Sequence, residues 1–163
     1  MKATVTYALI VILAAVVAVL IAARLGAFAG SAPTNLGLRE GKLKPPSKTP
    51  NSVSSQAALW PAHPQRQRAA IAPLALRGDG PATIDRLARL VESMPGARIV
   101  ERRPDYLYAQ FTTKLMSFVD DVEFWFDPAA GVIQVRSASR VGYGDRGVNR
   151  ARVEAIRERL AAG

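Results

Sequence analysis

The sequence predicts an α+β fold behind an N-terminal transmembrane helix: a four-stranded antiparallel sheet, two helices on one of its faces, and a proline-rich strap. Three observations predict it. An unbroken apolar run opens the chain, and prolines punctuate the stretch from Gly26 to Pro81. The remainder alternates with period two between two stretches of helical period.

Tyr7 to Ala23 reads YALIVILAAVVAVLIAA, and extending it back through Ala3 gives about 20 residues, the length a helix needs to cross a bilayer. Lys2 and Arg24 bracket the run. Residues 1–25 therefore read as a single-pass anchor whose partner is the lipid bilayer, or as a signal peptide. Ala27-Phe28-Ala29 before Gly30 fits the small-x-small cleavage pattern, and cleavage near Ala29 would release a secreted protein. The apolar core exceeds the ~7–15 residues of a cleaved signal, and Arg24 separates it from that site, so the uncleaved anchor is the preferred reading. The cations on the C-terminal side (Arg24, Arg39, Lys42, Lys44) argue for a cytoplasmic domain by the positive-inside count. A short basic N-terminus before an apolar run has the form of an export signal instead. The expectation is the cytoplasmic (inner) membrane with the domain in the periplasm.

Residues 26–35 are expected to form a flexible stalk and residues 36–163 a single domain. Pro33, Pro45, Pro46, Pro50, Pro61, Pro64 and Pro73 prevent a long helix or a central strand in the first part. Leu36, Leu38, Leu43, Trp60 and Leu74 are scattered apolar anchors, so this part reads as an extended strap over the domain. From Pro81, Ile84, Leu87, Leu90, Val91 and Met94 recur at helical spacing until Pro95-Gly96 stops them. Four strand-like runs follow: Ala97–Arg102, Tyr106–Thr113, Asp121–Phe126 and Val132–Ser139. Gly144-Asp145 then opens a last helix to about Ala161, with Asp145 as its cap and Val153, Ile156 and Leu160 as its apolar stripe.

Strand parity separates two faces. Leu107, Ala109, Phe111, Val122, Phe124, Phe126, Ile133 and Val135 form the apolar one, under the helices. The other carries Tyr106, Tyr108, Gln110, Asp121, Glu123, Trp125, Gln134 and Arg136. An odd-sum register sets Arg136 opposite Asp121 or Glu123. This face is either a minor core under the strap or a shallow pocket with aromatic walls, a guanidinium and two carboxylates. With arginine beside them, Asp121 and Glu123 are expected to stay ionised, the wrong state for a general acid.

The stretch SASRVGYGDRGVNRARVEAIR holds five arginines and two acids. Arg150 and Arg157 fall on one exposed side of the helix and Arg152 and Arg159 on another, as charged flanks rather than a stripe that tracks phosphates. Arg136, Arg140 and Asn149 are the exceptions, turned toward packed or concave regions, and the helix start flanked by Arg140 and Arg150 could hold an anion unless Asp145 occupies it.

A net charge of +9 attracts anions without choosing among them. The chain has no cysteine, which removes disulfides, thiolate metal sites and cysteine nucleophiles. Its one histidine, His63, lies between Pro61 and Pro64 and reads as a bystander. No metal and no cofactor are expected, because the carboxylates have no further oxygen ligands at a recognisable spacing.

The segments GLREGKLKPPSKTPNSVSSQA, FVDDVEF and VRSASRVGYGDRGVNRARVEAIR resemble the domain-of-unknown-function family 1499, found in bacteria and in plastid-bearing organisms. The resemblance covers about Leu36 to Leu160. It implies a single compact domain, often secreted or membrane-anchored, with no established activity. Members typically carry two cysteines in the strap, and Pro46 and Ser52 stand at those positions here, as after loss of a disulfide. The matching motif residues are Ser54, Ser55, Asp120, Asp121, Glu123, Arg136, Ser137, Ser139, Arg140, Gly142, Asp145, Gly147, Asn149 and Arg150.

The expectation is therefore a membrane-anchored envelope domain that is not an enzyme and binds an anionic small molecule, a lipid headgroup or an envelope protein. The candidate binding residues are Arg136, Arg140, Asp121, Glu123, Tyr108, Trp125, Asn149 and Arg150. The alternatives are a hydrolase or lyase using Asp121, Glu123 and Arg136, and a purely structural envelope protein. No nucleic acid is expected, since the cations do not form one stripe.

Overall fold

A computed structural model describes residues 2–162. Helix α1 spans Lys2–Arg24 and is apolar on every side, as a helix must be when its solvent is lipid. It is long and apolar enough to cross a bilayer, a composition that a signal sequence shares. Its end is sharply defined. Gly26 takes φ +86°, Ala27 N–H donates to the Ala22 carbonyl at 3.0 Å, and Gly26 N–H donates to that of Ala23 at 3.1 Å. This is a Schellman cap, and glycine supplies the left-handed residue that the cap requires.

The remaining elements follow in order. They are β1 (Ser52–Ser54), a single 3-10 turn at Ala57–Leu59, α2 (Arg66–Ala69), β2 (Leu74–Ala75), α3 (Gly80–Glu92), β3 (Ala97–Arg103), β4 (Tyr106–Thr112), β5 (Val119–Asp127), β6 (Val132–Ser139) and α4 (Val148–Ala162). The sheet order is β1-β6-β5-β4-β3, with β2 also on β6, and every pairing is antiparallel.

The sheet thus has six strands among the described residues where the sequence predicts four. The two additions come from the proline-rich part, which is not one extended strap. Ser52 pairs with Ala138 and Leu74 with Ile133, so β1 and β2 share the outer edge of β6. Strands of three and two residues are too short to show alternation. Pro50 and Pro73 stand just outside them, where a missing N–H costs no ladder bond.

Helix α3 starts at Asp79, whose Oδ1 accepts from Ala82 N–H at 2.7 Å. Its first residue must be glycine, because a Cβ on Gly80 would lie 2.2 Å from the Phe126 ring. Ile84, Leu87 and Val91 of α3 and Val153, Ile156 and Leu160 of α4 bury against Leu107, Phe111, Val122, Phe124, Ile133 and Val135. This is the apolar face set out by strand parity, and both helices cover it. On the opposite face Leu43 buries against Tyr106 and Tyr108, with Leu36, Leu38 and Trp125 partly covered beside them.

Candidate functional site

Strand pairing sets the geometry of the face away from the helices. Arg136 stands directly opposite Glu123, and Asp121 lies opposite Gln110 on one side and Ala138 on the other. Glu123 has no exposed surface. Its Oε1 accepts from Gly37 N–H at 2.7 Å and from Tyr106 Oη at 2.8 Å. Its Oε2 is buried and accepts no hydrogen bond, with Arg136 Nη1 at 3.7 Å. Burial pushes the Glu123 carboxyl above its ordinary range, while Gly37 N–H, Arg136 and Tyr106 pull back more weakly. The sequence predicts two ionised carboxylates here. Glu123 is shifted against that expectation, because its desolvation outweighs one imperfectly placed guanidinium. Burial, and then the nearby Glu123, drives the Tyr106 phenol far above its usual range, so it is a permanent donor.

Asp121 is held differently. Arg140 Nε donates to Oδ2 at 2.9 Å and Nη2 to Oδ1 at 2.8 Å, a bidentate pair, and Tyr108 Oη donates to Oδ1 at 2.5 Å. Gln110 Nε2 in turn donates to Tyr108 Oη at 2.8 Å.

Arg136 is only 4 % exposed. Its Nε donates to the Pro45 carbonyl at 3.1 Å. Its Nη1 and Nη2 donate no hydrogen bond among the described residues. Arg136 lines a cavity of about 610 Å³, walled also by Ser31, Asn35, Lys44, Asp121 and Arg140. Lys44 Nζ donates to Asn35 Oδ1 at 2.6 Å at its rim. Burial and the neighbouring Arg136 charge together lower the Lys44 ammonium from its ordinary value.

Five of the candidate residues therefore meet: Arg136, Arg140, Asp121, Glu123 and Tyr108. Trp125, half-buried, packs against the Leu43–Tyr106–Tyr108 cluster. Asn149 and Arg150 lie elsewhere. Asn149 is fully buried on the helix side. Its Oδ1 accepts from Ser137 Oγ at 2.5 Å and Arg152 Nη1 at 2.9 Å, and its Nδ2 donates to the Asn51 carbonyl at 3.1 Å. Arg150 Nη2 donates to the carbonyls of Arg68 and Ala70 at 2.9 and 2.8 Å. The start of α4 is occupied by its own cap: Asp145 accepts from the Gly147 and Asn149 amides at 3.0 Å each.

Arg152 corrects the reading of the α4 arginines as charged flanks. Its guanidinium lies over the Phe111 ring, 4.6 Å from the centroid, and its Nη2 donates to Asp120 Oδ2 at 2.5 Å. Arg157 donates to the Pro73 and Ala72 carbonyls at 2.6 and 2.7 Å. These arginines are clamps. Lys44 and the 31–35 wall are the parts of the cavity that sequence reasoning missed. No periodicity marks them, and only the tertiary path brings them to β6.

The fold and site define a class: an α+β domain behind one N-terminal helix apolar enough to span a membrane or to be a signal sequence, with a cation-lined cavity on the sheet face away from its helices. The chain belongs to the family described as "Protein of unknown function (DUF1499)", which matches residues 42–160. No curated protein and no solved structure matches it. At the two positions where the family resemblance implies cysteines, Pro46 and Ser52, the loop is closed by Ser47 N–H donating to Ser52 Oγ at 2.8 Å.

Proposed function

We propose that this domain binds a small anionic group, a phosphate or a carboxylate, in the cavity between Lys44, Arg136 and Arg140. Helix α1 holds it at the cytoplasmic membrane with the domain on the outer side. The observation that carries the reading is the Arg136 guanidinium, which lines this cavity beside Lys44 and Arg140 and whose Nη groups donate no hydrogen bond among the described residues. An anion is the natural complement of a guanidinium whose donors are not used by the protein. Binding is favoured over catalysis because both oxygens of Asp121, the carboxylate in the cavity wall, are engaged by Arg140 and Tyr108. Lys2 at the start of the apolar run supports export.

The test is calorimetric titration of the full chain in detergent with inorganic phosphate, pyrophosphate, sulfate and citrate. At least one anion binds. Lys44→Ala weakens it about tenfold, a difference of about 1.4 kcal/mol, with an unchanged melting temperature. Arg136→Gln abolishes it. If no anion in the panel binds the native chain, the reading is wrong.

A further inference from the structure

The end of the sheet nearest α1 is built from three segments. They are the exit of α1 (residues 25–30), the β4–β5 connection (113–118) and the β6–α4 connection (140–147). They are in contact. The Phe28 and Phe118 rings are 5.9 Å apart, and a Cβ on Gly30 would lie 2.8 Å from both Arg140 Cβ and Val141 Cγ1. Large apolar side chains are nonetheless left uncovered here. Leu25 is 83 % exposed, Tyr143 77 %, Leu115 61 %, Val148 47 % and Phe118 38 %. Two apolar hollows run between them and share Thr113 and Val148.

The charge on this end has one sign. Arg24, Lys114 and Arg146 are exposed, and residues 113–118 contain no acid. The one carboxylate in residues 140–147, the half-buried Asp145, accepts from the Gly147 and Asn149 amides. Apolar and aromatic side chains ringed by cations suit the headgroup layer of an anionic bilayer, where acyl chains take the former and phosphates the latter. The Schellman cap at Gly26 ends α1 within a few residues of this surface, so a bilayer entered by α1 lies against it.

We propose that this end of the domain rests on the bilayer that α1 enters. Leu115, Phe118 and Tyr143 sit at headgroup level, and Arg24, Lys114 and Arg146 contact anionic headgroups. The proposal rests on α1 being a membrane anchor, and it is independent of what fills the Arg136 cavity.

The absence of cysteine makes the test direct. Single variants Leu115→Cys, Tyr143→Cys, Ala130→Cys and Ile12→Cys of the full chain are labelled with an environment-sensitive fluorophore. They are reconstituted at one copy per nanodisc of phosphatidylglycerol and phosphatidylcholine carrying nitroxide lipids. Ala130 is exposed in the β5–β6 turn, roughly 26 Å away along β5. Headgroup nitroxides are expected to quench positions 115 and 143 at least about threefold more than position 130, and the added change Lys114→Glu with Arg146→Glu lowers that quenching. Equal quenching at 115, 143 and 130 with strong quenching at 12 overturns the docking and keeps the anchor. Loss of quenching at 12 overturns the anchor beneath it. Quenching or a spectral shift at 115 and 143 that needs two copies per disc overturns the proposal in favour of a second copy of this chain.

Discussion

Arg136 faces Glu123 across the β5–β6 pair, yet Nη1 stops 3.7 Å from an Oε2 that accepts no hydrogen bond. Both side chains are buried, and neither satisfies the other. Removing one member of such a pair costs about 3–5 kcal/mol when the survivor must stay charged. Here the survivor can neutralise itself, because burial already raises the Glu123 carboxyl. Arg136→Met is therefore expected to destabilise by several kcal/mol at pH 8 and by clearly less at pH 5. Combining it with Glu123→Gln recovers most of the loss. Urea unfolding at the two pH values checks this, and a pH-independent loss would show that the Glu123 charge is not its source.

The native pair also has its own pH dependence. A carboxyl whose folded pKa is raised contributes stability that is fully present below its unfolded value, near 4.5. That contribution fades as pH rises through the folded pKa. Glu123→Gln is expected to flatten the decline in melting temperature above about pH 4.5. The measurement is melting temperature against pH for both chains, and parallel curves would refute the assignment.

Asp145 works in the opposite sense. Burial alone would raise it, but the Gly147 and Asn149 amides and the Asn149 side chain hold it below its ordinary value. Its contribution is present above pH 3.8 and is lost as pH falls through the depressed folded value. Asp145→Ala is expected to cost about 1 kcal/mol at pH 7, as for a lost helix cap. The difference from the native chain should shrink below the ordinary carboxylate range, which acid titration of unfolding would reveal.

Arg152 and Asp120 form a third ion pair with little exposure, 9 % and 6 % at their side chains. Arg152→Ala leaves Asp120 with no cation and strips donors from Ser137 and Asn149, so a loss of about 3–5 kcal/mol is expected. Arg159→Ala, at an exposed position of the same helix, is expected to change stability by less than about 0.5 kcal/mol. Denaturant midpoints of the two variants settle the contrast, and similar values would mean that Arg152 is a surface residue in solution.

Gly80 supplies a steric test. A Cβ there would overlap the Phe126 ring at 2.2 Å, so Gly80→Ala is expected to cost about 1–3 kcal/mol despite the better helix propensity of alanine. Phe126→Leu in the same chain should return part of that loss, because contacting sites are coupled. Thermal unfolding of the two single variants and the double variant measures the coupling.

The sequence by itself determined what repeats along the chain. The apolar run of α1, the helical spacing of Ile84 to Met94 and the alternation from Ala97 to Ser139 each encode local geometry. They place the helices, the four long strands, the apolar face and an odd-sum pairing that sets Arg136 against Asp121 or Glu123, of which the structure selects Glu123. The tertiary structure alone decided what depends on where non-repeating chain travels. Residues 52–54 and 74–75 are too short to carry a period, and they are strands only because β6 offers an unpaired edge. Lys44 and residues 31–35 reach the cavity through a loop path that no pattern announces. Arg152 looks like any helix-surface arginine until Phe111 and Asp120 close over it. Periodicity records which face of an element is buried, but the partner that buries it, and the charge left without one, appear only when distant segments meet.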